Sequence, residues 1–191
     1  MKHLLAFCII TFLCAAPVWA APPDTAQLNT QGLAVIQQFS AALKGELKAS
    51  LKRGGPPAAI MVCRVQAPAI AKRVGEKNGW QVGRTSGRLR NPANAPDPWE
   101  AKVLADFAAR AQAGAAPGKL VYSEVLTDAQ GKRVFRLMKG IAMGGGCLVC
   151  HGPSPSKATS EQLALLYPKD KATGYRPGQL RGAFTLKKVL D

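Results

Sequence analysis

The stretch Gly144-Gly145-Gly146-Cys147-Leu148-Val149-Cys150-His151-Gly152 holds the side chains of this sequence best suited to chemistry. Two thiols three positions apart can add to the two vinyl groups of one porphyrin, while the imidazole that follows them lies beneath the iron as its proximal ligand. This spacing therefore reads as a c-type haem attachment site, with one covalent haem c per chain bound by Cys147, Cys150 and His151. The glycines in front of it carry no Cβ, so backbone can pass close to a flat macrocycle.

Two other chemistries use similar residues. A thioredoxin-like dithiol belongs between a strand and a helix, not after three glycines. A zinc site needs four ligands, and the adjacent Cys150 and His151 are poorly placed to serve one small tetrahedral ion together with Cys147.

The first twenty residues bear on the compartment. Lys2 precedes an apolar run, Leu4 to Ile10 with Phe12-Leu13, and Val18-Trp19-Ala20 ends in small-residue character before Ala21-Pro22-Pro23. This predicts a secretory leader cleaved after Ala20 and export to a bacterial periplasm. The run is short for a membrane span, no later segment is more apolar, and Leu13 before Cys14 disfavours a lipid anchor, so no stable membrane insertion is expected. Cleavage removes His3, Cys8 and Cys14. His151 is then the one histidine left, and Cys63, Cys147 and Cys150 are the remaining cysteines. Bis-histidine ligation within one chain is thereby excluded. If haem takes Cys147 and Cys150, Cys63 has no disulfide partner and must be buried, joined to another chain, or held by a metal.

The remaining 171 residues (191 − 20) suit one domain, residues 21–191, with a sizeable core. The formal net charge of +15 becomes +14 once Lys2 leaves (15 − 1). Export argues against nucleic acid as a partner, and the basic residues are scattered along the chain. They predict a solvated basic surface that aids docking to an acidic redox or signalling protein.

Several elements must carry these groups. Asp24 or Thr25 caps a predicted helix to about Lys52, with Ile36, Phe39, Leu43, Leu47 and Leu51 on its core side and Lys44, Lys48 and Lys52 on its wet side. Gly54-Gly55-Pro56-Pro57 stops it, and a second helix places Ile60, Cys63, Ala67, Ile70 and Val74 on one stripe. Pro68 is expected to break or kink this helix just beyond Cys63. An inward thiol near an irregularity is either an inert small hydrophobe or a ligand. Trp80 to Thr85 reads as a strand. In the turn-rich segment after it, Arg84, Arg88 and Arg90 are candidates to pair with haem propionates, or else serve ordinary salt bridges. Asp97 and Pro98 open a helix to about Ala113. Lys119 to Leu126 and Lys132 to Ile141 form a hairpin that leads into the haem motif, Ser160 caps a short helix ended by Pro168, and Leu180 to Leu186 is a last strand. Helices leading into an antiparallel sheet indicate an α+β fold.

Taken together, Cys63 with Pro68-Ala69, Arg84-Thr85-Ser86, Arg90-Asn91-Pro92, Asn94 to Glu100, Cys147 to Gly152, Tyr167-Pro168, Asp170, Ala172, Gly174-Tyr175, Gly178 and Arg181-Gly182 resemble the Tll0287-like haem domain family over most of the mature chain. The resemblance implies a PAS-like antiparallel sheet flanked by helices, with a long N-terminal helix and one covalent haem. It also implies axial ligation by the motif histidine, here His151, and by a cysteine thiolate, here Cys63, with Met61, Met138, Met143, a lysine or an open site as the alternatives. Family domains also occur as sensory modules of signalling proteins.

A thiolate stabilises ferric iron and holds the potential low. The expected function is therefore that of a low-potential electron carrier or haem-based redox sensor. The alternative is a module for CO or NO, in which Cys63 leaves on reduction. A peroxidase is the least favoured class and no enzyme activity is expected, since the mature chain has no second histidine for distal acid–base work.

Overall fold

The computed structural model describes residues 24–191. The predicted leader, with His3, Cys8 and Cys14, lies outside the described residues. Asp24 caps α1 (Thr25–Met61), its carboxylate accepting the Gln27 amide at 3.0 Å. The regular helix ends where predicted, just beyond Lys52. Gly54 (φ −147°, ψ 21°) and Gly55 (φ 65°, ψ −164°) kink it, and it resumes at Pro56-Pro57, where prolines are tolerated because first-turn amides need no helical partner.

Beyond Met61 the chain does not break at Pro68. It widens into a π turn, Val62–Gln66, in which the Ala67 amide reaches back to the Val62 carbonyl, and then continues as α2 (Ala67–Asn78). The extra residue in that turn relieves the clash and the lost bond that Pro68 would impose on a regular helix. Cys63 sits inside it.

Four strands form one antiparallel sheet of order β1-β4-β3-β2: β1 (Gln81–Thr85), β2 (Val121–Thr127), β3 (Arg133–Ala142) and β4 (Leu180–Val189). Alternation along β3 and β4 sends Phe135, Leu137 and Leu186 to one face, where they meet Leu28, Val35 and Ile36 of α1, with Trp80 edge-on to Phe135. Met138 and Ala183 face the other way, onto Val103, Leu104 and Phe107 of α3 (Pro98–Gln112). Asp97 and Glu100 close a capping box on α3, and Glu100 also accepts Thr185 Oγ1 at 2.6 Å and Arg136 Nη2 at 3.1 Å, which fixes α3 to the sheet. The α+β, PAS-like arrangement with a long N-terminal helix is thus the observed one.

The β2–β3 hairpin turns at Asp128 to Gly131, where Gly131 has φ 77°. After β3 come a short 3-10 turn, α4 (Leu148–His151) and α5 (Lys157–Leu166). The cap of α5 is Ser156, one turn before the predicted Ser160: its hydroxyl accepts the Thr159 amide, and Ser160 lies within the helix.

One irregularity in the sheet prepares the site. Ile141 pairs with Gly182 but Ala142 pairs with Leu180, so Arg181 is the extra residue of a bulge at the start of β4. Bulges re-aim side chains, and Arg181 turns into the cavity described below. Gly182 makes the bulge possible. Its φ is 152°, and an added Cβ would stand 2.3 Å from the Thr85 carbonyl oxygen. Gly182→Ala is expected to lower stability by about 2 to 4 kcal/mol, from backbone strain plus overpacking. An unchanged urea midpoint would show that the bulge does not depend on glycine.

Candidate functional site

One cavity of about 520 Å³ collects nearly every residue singled out by the sequence. Cavities of this size are typical of cofactor and small-molecule sites. Leu47, Leu51 and Ile60 of α1 form one wall, with Cys63 of the π turn beside them. Arg84 to Ser86 and Leu89 to Asn91 follow from the end of β1, Ile141 to Met143 from the end of β3, and Cys147, Cys150 and His151 from the motif. Cys63 and His151 therefore line the same space. All three cysteines of the described residues are free thiols: Cys147 is exposed, and Cys63 and Cys150 are half-buried. No group of three His, Cys, Asp or Glu converges as a bare-ion site among the described residues, so the motif does not build the cage that zinc requires.

The imidazole is held from behind. His151 Nδ1 donates to the Ala172 carbonyl at 2.6 Å, which fixes the tautomer and makes Nε2, facing Arg90 Nη1, the acceptor nitrogen. The segment around Ala172 is tied to the motif by the Tyr175 amide on the His151 carbonyl and the Gly174 amide on the Gly152 carbonyl. Burial above all, then the neighbouring Arg90 and Arg181, lowers the His151 pKa to about 3 against the opposing Ala172 bond and Asp170. The ring is consequently neutral, the state in which it can donate electrons to a metal.

Arg90 is the hub of this support. It is buried, its Nε and Nη2 reach Asp170 Oδ2 at 3.0 and 2.9 Å, and Nη2 also donates to the carbonyls of Cys150 at 2.6 Å and Ala172 at 3.3 Å. Its Nη1 stands 3.5 Å from His151 Nε2. With its donors so engaged, Arg90 holds the motif in place through the ordinary salt bridge that the sequence left open as the alternative to propionate pairing. Arg88 is placed elsewhere. It does not line the cavity: its guanidinium lies over the Tyr175 ring at 4.3 Å and donates to the carbonyls of Lys171 and Thr173, because the turn at Ser86–Arg88 points it outward.

Arg84 does line the cavity. It lies over the Phe39 ring at 5.8 Å, and its strongest favourable charge partner is Cys63. Burial pushes the Cys63 thiol up, and Arg84, followed by Arg90 and Arg181, pulls it back. Of the methionines named as alternative ligands, Met143 lines the cavity, Met138 is sealed in the core against α3, and Met61 lies exposed on α1 outside the lining.

Three cavity residues escaped the sequence reading. Arg181 depends on the bulge. Lys44 and Lys48, assigned there to the wet side of α1, flank the cavity with Leu47 and Leu51, and the i, i+3, i+4, i+7 spacing of these four was the available sign. The lining thus holds Lys44, Lys48, Arg84, Arg90 and Arg181, with no Asp or Glu among the described residues. A larger, more open groove of about 660 Å³ between α2 and β1 shares Cys63, Arg84, Asn91 and Asn94 but none of the motif residues.

One α+β domain thus gathers apolar walls, five cationic side chains, three thiols and a neutral imidazole around a single cavity. The chain belongs to the Tll0287-like family, whose sequence profile matches residues 24–188. A solved structure titled "Crystal structure of the cyanobacterial heme-protein Tll0287" superposes with a TM-score of 0.59 at 23% identity, covering 90% of this chain and 98% of that one. Comparison with curated proteins finds no match.

Removing the carboxylate of Asp170 leaves a buried guanidinium uncompensated. Asp170→Ala is therefore expected to cost about 3 to 5 kcal/mol in urea unfolding. A loss below about 1 kcal/mol, the range of exposed ion pairs, would deny the pair this supporting role.

Proposed function

We propose that this protein carries one covalent haem c, tethered by Cys147 and Cys150 and ligated by His151 and Cys63, and that it serves as a low-potential electron carrier or redox sensor in the periplasm. The observation that carries the reading is that Cys63 and His151, 88 positions apart in sequence (151 − 63), border one cavity together with the paired motif thiols. Membership of a family whose solved relative is titled a heme-protein supports it. Export rests on the sequence of Met1 to Ala20, and the net charge of +15 favours an acidic redox or signalling partner.

The chain's own groups suit these parts. Cys147, exposed at the rim, and Cys150, packed near Ile60 and Tyr167, present two thiols along one edge of the cavity. His151, neutral and locked through Nδ1, offers Nε2. Burial keeps the free Cys63 thiol protonated, and Arg84, which opposes that rise, would offset the charge of the thiolate that forms on binding iron. A bound haem would supply a one-electron iron couple, with a potential lowered by the thiolate. The lining lacks a second histidine or a carboxylate among the described residues, which favours electron transfer or sensing over peroxidase chemistry.

The position of Cys63 in a π turn favours a second reading, since an irregular turn can release a ligand more readily than a regular helix. In that case reduction frees the iron for CO or NO, and Cys63 acts as the switch.

Purified mature protein is expected to give a pyridine haemochrome spectrum of the thioether type. Cys63→Ala should move the midpoint upward by several tens of millivolts and alter the ferric spectrum; each 59 mV is about tenfold in a one-electron equilibrium. Unchanged spectrum and midpoint would reject Cys63 as a ligand. Ready CO uptake by the reduced wild-type protein would favour the switch over the carrier.

A further inference from the structure

Lys44 and Lys48 lie at i and i+4 on α1, on the arc that also presents Leu47 and Leu51 to the cavity. Both are exposed, and neither meets a carboxylate within 4.0 Å among the described residues. Like charges at this spacing repel one another. Glu46, the nearest acid in sequence, is not in the lining, which is free of Asp and Glu among the described residues. Two ammonium groups one helical turn apart, at the lip of a cationic cavity, form a site for a dicarboxylate.

The other cations of the cavity have other work. Arg90 is held by Asp170 and two carbonyls. Arg181 Nη1 donates to Ser86 Oγ at 2.8 Å and to the Arg88 carbonyl at 3.2 Å. Arg84 lies deep, over Phe39 and beside Cys63.

The two ends of the cavity match the two ends of a haem. A protoporphyrin carries its vinyl groups on one edge and both carboxylates on the opposite edge. Cys150 packs beside Ile60, near the C-terminal end of α1. Twelve residues separate Ile60 from Lys48, about 18 Å as regular helix, with the kink at Gly54-Gly55 between them, a span on the scale of a macrocycle with its carboxyl arms. We infer that Lys44 and Lys48 clasp the two haem carboxylates and so set which edge of the cofactor faces the α1 lip. The inference rests on the haem reading above and adds to it a pair of cations at the α1 lip.

The test uses the full chain produced without haem, titrated with iron protoporphyrin IX and with its dimethyl ester, and followed by Soret absorbance. Wild type is expected to bind the free acid at least about tenfold more tightly than the ester, as charge-assisted contacts imply. Lys44→Gln/Lys48→Gln should bind the two equally, and Lys44→Arg/Lys48→Arg should keep the preference. A preference that survives in the glutamine variant overturns the clasp and leaves the haem reading standing. Failure of wild type to bind either porphyrin overturns both. A merely structural role for the lysines would weaken acid and ester alike, and that result also rejects the clasp.

Discussion

The Arg90 guanidinium joins three parts of the chain that are distant in sequence. It is fixed to Asp170 and donates to the carbonyls of Cys150 and Ala172, while the Ala172 carbonyl also accepts the hydrogen bond of His151 Nδ1. A motif on a single turn of helix has no rigidity of its own, since four helical residues form too few internal bonds to fix a side chain. The orientation of the imidazole is therefore supplied from outside, by a charge removed from water together with its counter-charge. Such a pair adds little net stability, but it ties geometry tightly, because either partner alone would be costly to bury.

The charge pattern of the cavity follows from the same economy. Asp170 is spent on Arg90, behind the histidine, and no further carboxylate enters the lining among the described residues. Arg84 and Arg181 face the cavity without acidic partners there, and each is pulled below its ordinary value by burial. A pocket left positive in this way is unfavourable by itself and becomes favourable around an anion, so part of the fold's electrostatic cost is recovered only on binding. Leu47, Leu51 and Ile141 give the same cavity apolar walls.

What was legible in the sequence was local. The Asp24 and Asp97 caps, the Asp128–Gly131 hairpin and the inward stripe that carries Cys63 follow from neighbouring residues, and each was found where expected. The Cys147-Cys150-His151 spacing is equally local, and the structure sets all three residues on one cavity. Ser156 was missed as a cap because Ser160, followed by a glutamate, offers the same local pattern one turn later. The roles of the arginines were hidden for a different reason. Arg88 and Arg90 are two positions apart in a loop, and whether either faces the cavity depends on the segment Asp170 to Tyr175, some 80 residues on. Arg181 depends on strand register, which no short window records.

The π turn at Val62–Gln66 has a consequence for the lineage of the chain. A widened turn contains one residue more than the helix around it, so it is the footprint that a single inserted codon would leave in an otherwise regular helix. Excising that residue would rewind the segment by about 100°, and the sulfur would swing off its wall while the stripe of α2 kept its seat against the sheet. Among close relatives, gaps in alignment should therefore be rarer across these five positions than across the glycine–proline kink a few residues earlier, where length can change without turning anything toward or away from the cavity.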